Sequence, residues 1–358
     1  MTKEQKQFKQ LLLEWNDAYN NRQMPWKNEK DPYKIWLSEV ILQQTRVEQG
    51  LPYYNKFIAA FPTVKDLAKA KDETVFKLWE GLGYYSRCRN LLSTARTIVE
   101  DMDGQFPTNY PSLLLLKGVG AYTAAAIASF AYNLPHAVVD GNVYRVLSRV
   151  FDIETPTDSN EGKKQFSALA QLLIDMEQPG KYNQAIMDFG ATVCKPALPS
   201  CTDCPLHKIC ASYKHGTVNL LPVKEKVLKR KHRIFYYFVF EYNGLLLIHQ
   251  RTQKDIWQDL HEFYLIESMK VIKWNKNNIK DWLHQQLNVK GDIAIASISE
   301  DMTQQLTHQK ITGRFIHIQL NKIPENLQSY QWISRKEAKQ KAFPKLLNDY
   351  INDSGIFE

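Results

Sequence analysis

Four of the chain's five cysteines lie close together, at a spacing of C-x6-C-x2-C-x5-C. They are Cys194, Cys201, Cys204 and Cys210. Four thiolates in so short a stretch favour zinc or an iron–sulfur cluster, because both are soft-ligand sites. Zinc ribbons usually pair two short C-x2-C segments, and only one occurs here, so the spacing favours a cluster. Unrelated buried cysteines or two disulfides are the alternatives, although nothing else in the sequence suggests secretion.

Two carboxyl groups occupy positions suited to acid–base chemistry. Glu39 lies on a helix predicted over 33–47, with Ile35 one turn before it and Leu42 one turn after. Apolar neighbours would disfavour its charged form and keep a proton on it near neutral pH, whereas a solvent-facing Glu39 is the alternative. Asp140 follows an apolar stretch and precedes a predicted helix, where aspartate is a common N-cap.

Helices must position these residues, because residues 1–211 carry helical patterns separated by glycines and prolines. The first helix has an apolar stripe that includes Phe8, Leu12 and Trp15. Besides 33–47, the sequence predicts helices near 51–60, 64–70, 73–80, 85–102, 111–117, 121–132, 142–150, 161–176 and 181–192. Short connections between many helices predict an all-α domain.

The composition changes after Tyr213. Segment 224–233 holds six Lys/Arg residues and one Glu, which predicts an exposed basic linker. From Ile234 onward, two β-rich runs joined at Asn243-Gly244 predict a hairpin. Further strands are predicted near 261–266, 293–298 and 312–320, with a helix near 277–287. The second domain is therefore predicted to be α+β.

The bulk numbers describe an ordinary globular protein that is long enough for two domains. The chain has 358 residues, of which 44% are hydrophobic and 23% charged. Its net charge of +8 weakly favours a polyanionic partner. Residues 1–10 do not resemble a secretory signal, and no uncharged apolar run is long enough to span a bilayer. We expect a cytoplasmic protein without membrane association, held near the nucleoid if the source is bacterial.

A glycine-containing turn, Gly118-Val119-Gly120, connects two predicted helices. Such a turn presents backbone N–H groups at the start of the next helix, where they can bind a phosphate. Alone, this pattern is more often a plain connector. The downstream stretch VVDGNV (138–143) makes the functional interpretation much stronger, because the two motifs occur together.

These residues resemble the helix-hairpin-helix base-excision glycosylases over about 20–211, and the cysteine spacing is the one that this superfamily uses for a [4Fe–4S] cluster. Within the superfamily, the chain is similar to the adenine DNA glycosylases. The motifs that carry this similarity are WLSEVILQQT (36–45), GLGYYSRCRNL (81–91), GVGAYTA (118–124) and VVDGNVYRVLSR (138–149).

The resemblance implies a reaction and its catalytic residues. The family removes adenine mispaired with 8-oxoguanine or guanine in duplex DNA, in base excision repair. Glu39 would protonate the base at N7, Asp140 would stabilise positive charge at C1′, and Asn142 would organise Asp140. Tyr122 stands where bifunctional relatives resembling endonuclease III carry a lysine. Because a tyrosine cannot form an imine, monofunctional hydrolysis is expected.

The resemblance also implies residues that bind DNA and the extruded base. The adenine pocket would be lined by Arg22, Trp26 and Gln184. The residues that would enter the duplex are Gln43, Gln44 and Thr45. The hairpin turn would be formed by Gly118, Val119 and Gly120. Lysines beside the cysteines, Lys195 and Lys208, would meet phosphate once the cluster ties down their loop.

The second domain resembles the Nudix-like domain that follows the catalytic part in this family. Its predicted helix at 278–289 lacks the run of glutamates that holds magnesium in Nudix hydrolases, so hydrolase activity is not expected. The implied function is recognition of 8-oxoguanine by Leu82, Tyr84, Thr307 and His308. Core packing of Tyr84 and an ordinary β-hairpin loop at 307–308 are the alternatives.

The sequence thus predicts a mainly α helix-hairpin-helix glycosylase domain at 1–213 with an iron–sulfur subdomain at 194–210, a basic linker at 214–233, and an α+β Nudix-like domain at 234–358. The expected cofactor is a [4Fe–4S] cluster, and the expected partner of the monomer is duplex DNA with an 8-oxoguanine:A or G:A mispair. A bifunctional pyrimidine glycosylase/lyase and a non-catalytic, redox-sensing iron–sulfur DNA-binding protein are the competing hypotheses.

Overall fold

The structure, a computed structural model, describes residues 1–225, 230–289 and 293–358. The chain divides into two compact units, one of residues 1–69 with 89–227 and one of residues 70–88 with 228–358. Within the predicted linker 214–233, residues 226–229 lie outside the described residues. None of the helices that the structure describes is both long enough and apolar enough to cross a membrane.

The part of the chain before residue 226 is helical, as predicted. Its helices are α1 (Lys3–Tyr19), α2 (Pro32–Leu42), α3 (Val47–Ala60), α4 (Val64–Lys69), α5 (Asp72–Trp79), α6 (Ser86–Asp101), α7 (Tyr110–Leu114), α8 (Ala121–Tyr132), α9 (Gly141–Phe151), α10 (Asn160–Leu173), α11 (Pro179–Thr192) and α12 (Ala211–His215). Of these, α5 belongs to the second unit.

Local sequence explains where α2 begins but not where it ends. Asp31 accepts a hydrogen bond from the backbone N–H of Tyr33, and Pro32 occupies the first turn, where its missing N–H has no cost. The prediction that this helix runs to 47 is wrong, because it ends at Leu42. Gln44 then adopts a left-handed conformation with φ of 56°. A glycine at this position would indicate such a helix end in the sequence, but a glutamine does not.

The core of the first unit lies between α1, α8, α9, α10 and α11. Its buried side chains include Phe8 of α1, Val146 of α9, Phe166 of α10 and Ile186 of α11. Helix α8 is buried along most of its length and packs against α2 as well as α11. This packing sets the start of α8 beside the middle of α2, which is where the site is built.

The second unit is organised around a mixed β-sheet. Its strands are β1 (Lys231–Tyr242), β2 (Leu245–Gln250), β3 (His261–Glu262), β4 (Tyr264–Ser268), β5 (Ala294–Ile298), β6 (Met302–Gln305), β7 (Gln309–Gln319) and β8 (Gln331–Ser334). The main order is β3-β2-β1-β7-β5, and β4, β6 and β8 pair with β1, β7 and β2 respectively. Strands β1 and β7 are parallel, in register from Lys231↔Gln309 to Glu241↔Gln319.

Helices cover both faces of the central strands. Ile279 and Leu283 of α13 (Lys276–Leu287) belong to the cluster that also holds Tyr236 and Phe238 of β1. On the opposite face, Tyr350 of α15 (Lys345–Ser354) stacks on Phe315 of β7, with ring centroids 3.9 Å apart. Because it is covered on both faces, β1 is a nearly continuous apolar run rather than an alternating one.

Most of the β-structure follows the predicted pattern. The hairpin at Asn243-Gly244 is confirmed, and both residues have the positive φ that a tight hairpin turn requires. The strands predicted near 261–266, 293–298 and 312–320 are present with shifted ends. The sequence patterns do not predict β6, β8, α15 or the short α14 (Arg335–Ala338), which are brief or mostly polar.

Candidate active site

Glu39 lies in the middle of α2, and its side chain is buried, with 8% of the residue exposed. Burial raises the pKa of the Glu39 carboxyl group from 4.5 to about 7. A hydrogen bond with Tyr122 acts in the opposite direction, and the negative charge of Asp140 adds to the increase. The alternative of a solvent-facing Glu39 is therefore wrong, and this carboxyl group can hold a proton near neutral pH.

Tyr122 is the second residue of α8, and its hydroxyl contacts both Glu39 and Met187. The hydrogen bond with Glu39 acts on the pKa of both groups, and the hydroxyl also lies 3.4 Å from Sδ of Met187. Burial and the charges of Glu39 and Asp140 hold the pKa of the Tyr122 phenol well above its ordinary value. Tyr122 is therefore a neutral phenol in hydrogen-bond contact with Glu39.

Asp140 is the N-cap of α9. Its Oδ1 accepts a hydrogen bond from the backbone N–H of Val143 at 2.8 Å, and its Oδ2 accepts one from the Asn142 side chain at 2.8 Å. Burial raises the pKa of Asp140, while these hydrogen bonds and the charge of Arg145 act in the opposite direction. Since its charge acts on Glu39 and on Tyr122, the three side chains share one site.

Arg145 holds Asn142 in place, and sequence reasoning assigned this arginine no role. Its guanidinium donates to Asn142 Oδ1 at 2.8 Å and to the backbone oxygens of Gly190 and Cys194, each at 2.7 Å. A Cβ on Gly190 would lie 2.7 Å from Cβ of Asn142, so only glycine allows α11 to approach this closely. The spacing of Asn142 and Arg145, one helical turn apart, could have suggested the contact.

The three residues predicted to line an adenine pocket lie on α11 and on the segment before α2. Gln184 is half-buried, and Trp26 is 9% exposed with its ring edge-on to Tyr54 at 5.2 Å. Arg22 donates to Oδ1 of Asp188 at 2.9 Å.

Asp188 is the buried partner of Arg22, and no pattern in the sequence predicts this contact. It is fully buried one turn after Gln184. Its Oδ2 also accepts a hydrogen bond from Asn20 Nδ2 at 2.9 Å and forms an ion pair with Lys27 Nζ at 3.4 Å. Its carboxylate therefore holds both ends of the segment that carries Arg22.

The predicted duplex-entering residues form the turn after α2. Gln43 donates from Nε2 to the Thr123 hydroxyl at 3.3 Å, which ties this turn to the first turn of α8. Gln44 is exposed and has the left-handed conformation noted above. Thr45 is half-buried.

Gly118, Val119 and Gly120 form the turn between α7 and α8. Gly118 has φ of +77°, and a Cβ there would lie 2.7 Å from Cβ of Asn90, so glycine is required on both grounds. Gly120 is the N-cap of α8, and as a glycine it has no side chain to cap the N–H groups of the first turn. These N–H groups can therefore bind an anion, as the sequence predicts.

The predicted lesion-recognition residues lie in the second unit. Tyr84 is 44% exposed, and its hydroxyl lies 2.5 Å from the Thr307 hydroxyl, so core packing of Tyr84 is excluded. Thr307 and His308 lie on the hairpin loop between β6 and β7, closed by a hydrogen bond from Leu306 to Gln309. Leu82 is buried, with 4% exposed.

Cys194, Cys201, Cys204 and Cys210 line one cavity together with Arg149, Leu206 and Tyr213. None of the five cysteines forms a disulfide. Arg149 donates to Cys194 Sγ at 3.5 Å, and burial raises the pKa of Cys204 to about 12. In residues 1–225, 230–289 and 293–358, no three Cys, His, Asp or Glu side chains are arranged as a ligand set, so the fit to a metal rests on the donor type and the shared cavity.

Comparison with known proteins decides the family. A model of HhH-GPD superfamily base excision DNA repair proteins matches residues 37–171, and a NUDIX domain model matches residues 236–353. The adenine DNA glycosylase of Buchnera aphidicola subsp. Schizaphis graminum is 35% identical over 275 residues, which cover 76% of this chain and 78% of that protein. The chain belongs to the adenine DNA glycosylase family.

A second relative supports the assignment to the adenine DNA glycosylase family, and a solved structure supports the helical glycosylase fold. The family member from Buchnera aphidicola subsp. Baizongia pistaciae is 33% identical over 326 residues, covering 88% of this chain and 87% of that protein. The solved structure of a thermostable thymine-DNA glycosylase has a TM-score of 0.56 at 30% identity, covering 60% of this chain and 98% of that one. The predicted family, the helical glycosylase fold and the Nudix-like domain are confirmed.

Proposed function

We propose that this enzyme hydrolyses the N-glycosidic bond of adenine mispaired with 8-oxoguanine or guanine in duplex DNA, and that it has no lyase activity. The observation that supports this most is the buried Glu39, with its pKa raised to about 7, in hydrogen-bond contact with Tyr122 and within reach of the charge of Asp140. One protonated and one ionised carboxyl group are what hydrolysis through an oxocarbenium-like state needs.

Each group then has a defined task. Glu39 donates its proton to N7 of the extruded adenine, so that the base leaves as a neutral molecule. The Asp140 carboxylate stabilises the positive charge that develops at C1′, and Asn142 with Arg145 keeps it oriented. Water adds its hydroxide to C1′ and leaves an abasic site, while its remaining proton restores the acid.

Tyr122 supports the monofunctional assignment, because its phenol has no amine that could attack C1′. We expect borohydride to trap no substantial covalent adduct with an 8-oxoguanine:A duplex. The known bifunctional reaction needs such an imine, so efficient trapping through a lysine would overturn this part of the proposal.

The remaining predicted residues supply binding. Arg22, Trp26 and Gln184 line the adenine pocket, and residues 43–45 enter the duplex beside the extruded nucleotide. The N–H groups of residues 118–120 bind a backbone phosphate.

Recognition of 8-oxoguanine is assigned to Thr307, His308, Tyr84 and Leu82. Exposure of Tyr84 and its contact with Thr307 support this assignment. Changing Thr307 and His308 together to Ala should reduce the preference for 8-oxoguanine:A over G:A, measured as a ratio of single-turnover rates. An unchanged ratio would reject the assignment.

Cys194, Cys201, Cys204 and Cys210 would hold a [4Fe–4S] cluster, which would supply four soft-ligand bonds that tie the loop 195–209 in place. Lys195 and Lys208, both exposed, would then face phosphate. Purified protein should contain iron and acid-labile sulfide, and Cys204→Ser should lose most of both. Wild-type protein prepared without oxygen that lacks iron would contradict this cofactor.

The deciding experiment measures free adenine released from an 8-oxoguanine:A duplex by wild type and Glu39→Gln. We expect release by the wild type only, because Gln has no proton to donate. A pyrimidine glycosylase or a non-catalytic DNA-binding protein would release no adenine. Size-exclusion chromatography with light scattering tests whether the protein is a monomer, as we propose. Limited proteolysis tests the proposed domain boundaries at residues 213 and 234.

A further inference from the structure

Residues 70–88 belong to the same compact unit as the C-terminal part of the chain, although a long stretch of sequence separates them. This segment contains α5 and the loop that leads to Tyr84. Because Tyr84 and Thr307 come from its two separate pieces of chain, the unit must keep these pieces in register for their hydroxyls to meet at 2.5 Å.

One carboxylate joins the two pieces directly at the base of the loop. Glu80 is the residue after α5, and its Oε1 accepts the backbone N–H of Phe343 at 2.7 Å. Its Oε2 accepts Lys77 Nζ at 2.8 Å, and the same Nζ donates to the Lys341 carbonyl at 2.9 Å. We call these the Glu80 contacts. Lys341 adds an ion pair with Glu73 at 2.7 Å.

Several contacts connect the residues around Glu80 to Tyr84. The Trp79 indole donates to the Gly83 carbonyl at 3.0 Å, and Gly81 donates from its N–H to the Tyr85 hydroxyl at 3.2 Å. The Arg87 guanidinium lies 5.3 Å from the ring centres of both Trp79 and Tyr84. Tyr84 itself has φ of +50°, a conformation that persists only where the surroundings enforce it.

We propose that Glu80 is a positioning residue for 8-oxoguanine recognition: through the Glu80 contacts it sets the place of Tyr84 relative to Thr307. The proposal rests on the recognition function proposed above for those two residues. Glu80 has 18% of its side chain exposed and lies at the base of the loop, so it acts through Tyr84 rather than on the lesion itself. Loss of the Glu80 contacts should therefore lower the rate of adenine release from the 8-oxoguanine:A duplex more than from the G:A duplex.

The test compares single-turnover adenine release from 8-oxoguanine:A and G:A duplexes. Glu80→Ala, which removes the carboxylate bonds to Lys77 and to the Phe343 N–H, should lower the rate ratio about tenfold or more, since small misplacements of binding groups have effects of this size. Glu80→Gln keeps an acceptor for the Phe343 N–H and should retain most of the ratio. Asp349→Ala, which removes a paired carboxylate from α15 of the same unit, is the matched control and should leave the ratio unchanged.

A double-variant cycle shows whether Glu80 acts through the recognition pair. Adding Glu80→Ala to Thr307→Ala should cause little further loss of the ratio, because both changes remove the same contact. Additive losses would overturn the proposal. So would equal losses on both duplexes, which a purely structural role produces. If Glu80→Ala does not fold, Lys77→Met replaces it, because the Lys77 side chain is 37% exposed and easier to substitute. This variant should lower the rate ratio several-fold, and the same outcomes would overturn the proposal.

The wild-type rate ratio distinguishes failure of the Glu80 proposal from failure of the proposed recognition function. If the wild type prefers 8-oxoguanine:A and Thr307→Ala removes that preference while Glu80→Ala keeps it, only the role of Glu80 is rejected. If the wild type shows no preference, the recognition function itself is rejected, and the role of Glu80 with it.

Discussion

Replacing Glu39 by Gln should make the stability of the first unit less dependent on pH. In the folded protein Glu39 ionises at about pH 7, and in the unfolded chain near its ordinary value of 4.5. Between these values the folded state binds more protons than the unfolded state, so wild-type stability falls as the pH rises through this window. Gln cannot ionise, and this loss is absent from the variant.

The magnitude follows from the pKa difference. An increase of the Glu39 pKa from 4.5 to about 7 corresponds to a loss of about 3 kcal/mol of unfolding free energy. This loss is complete by about pH 8 and nearly absent at about pH 4. Glu39 is 8% exposed, so solvent screening reduces this figure little. The Gln side chain has its own cost of burial, but that cost does not vary with pH. The difference in stability between variant and wild type should therefore shift by about 3 kcal/mol in favour of the variant.

Urea unfolding at a series of pH values measures this shift, with tryptophan fluorescence and circular dichroism as independent probes of two-state behaviour. Glu48→Gln, at an exposed position of α3, is the matched control and should track the wild type. The wild-type rate of adenine release should also fall above about pH 7, as Glu39 loses its proton. Parallel stability curves for wild type and Glu39→Gln would refute the reasoning.

Three further changes test other parts of the site. Arg145→Lys should lower the single-turnover rate about tenfold or more with DNA affinity little changed, because the bonds that orient Asp140 through Asn142 are lost. Asp188→Asn should reduce the unfolding free energy by about 2–3 kcal/mol, measured in urea, since its cationic partners lose a buried carboxylate. Gly118→Ala should cost about 1–3 kcal/mol and weaken DNA binding in a filter or anisotropy assay. Gly120→Ala is its comparison, because φ there is −88° and a Cβ would meet no described atom within 4 Å, so only the replacement of a favourable N-cap residue remains and the cost should be about 0.5–1 kcal/mol, below that of Gly118→Ala. An equally stable Gly118→Ala, an unchanged rate in Arg145→Lys, or an Asp188→Asn as stable as the wild type would contradict the corresponding argument.

Much of the fold and the central carboxyl groups could be predicted because the relevant signals are local. The apolar spacing around Glu39 predicts its burial, and Asp140 before a helix predicts its cap. Asn243-Gly244 predicts its hairpin from two residues alone. In each case a short window of sequence contains the physical cause.

Features that depend on distant contacts could not be predicted in this way. Arg145 and Asp188 are ordinary charged residues in sequence. The contacts of Arg145 form only when α9 meets α11, and the ion pair of Asp188 with Arg22 forms only when α11 meets the segment before α2. The left-handed Gln44 carries no glycine signal, so α2 was predicted too long. The grouping of residues 70–88 with the C-terminal part has no local signature at all, since it depends on contacts such as Glu80 with Phe343.

The parallel pairing of β1 with β7 has a consequence for biosynthesis. A ribosome releases Lys231 long before Gln309, so the apolar run of β1 emerges without the neighbour that later forms most of its hydrogen bonds on one edge. Strand β4 can protect the other edge earlier, because it follows β1 closely in sequence. Until β7 arrives, the nascent chain presents an open, aggregation-prone strand, and this stretch is where a chaperone would be most needed.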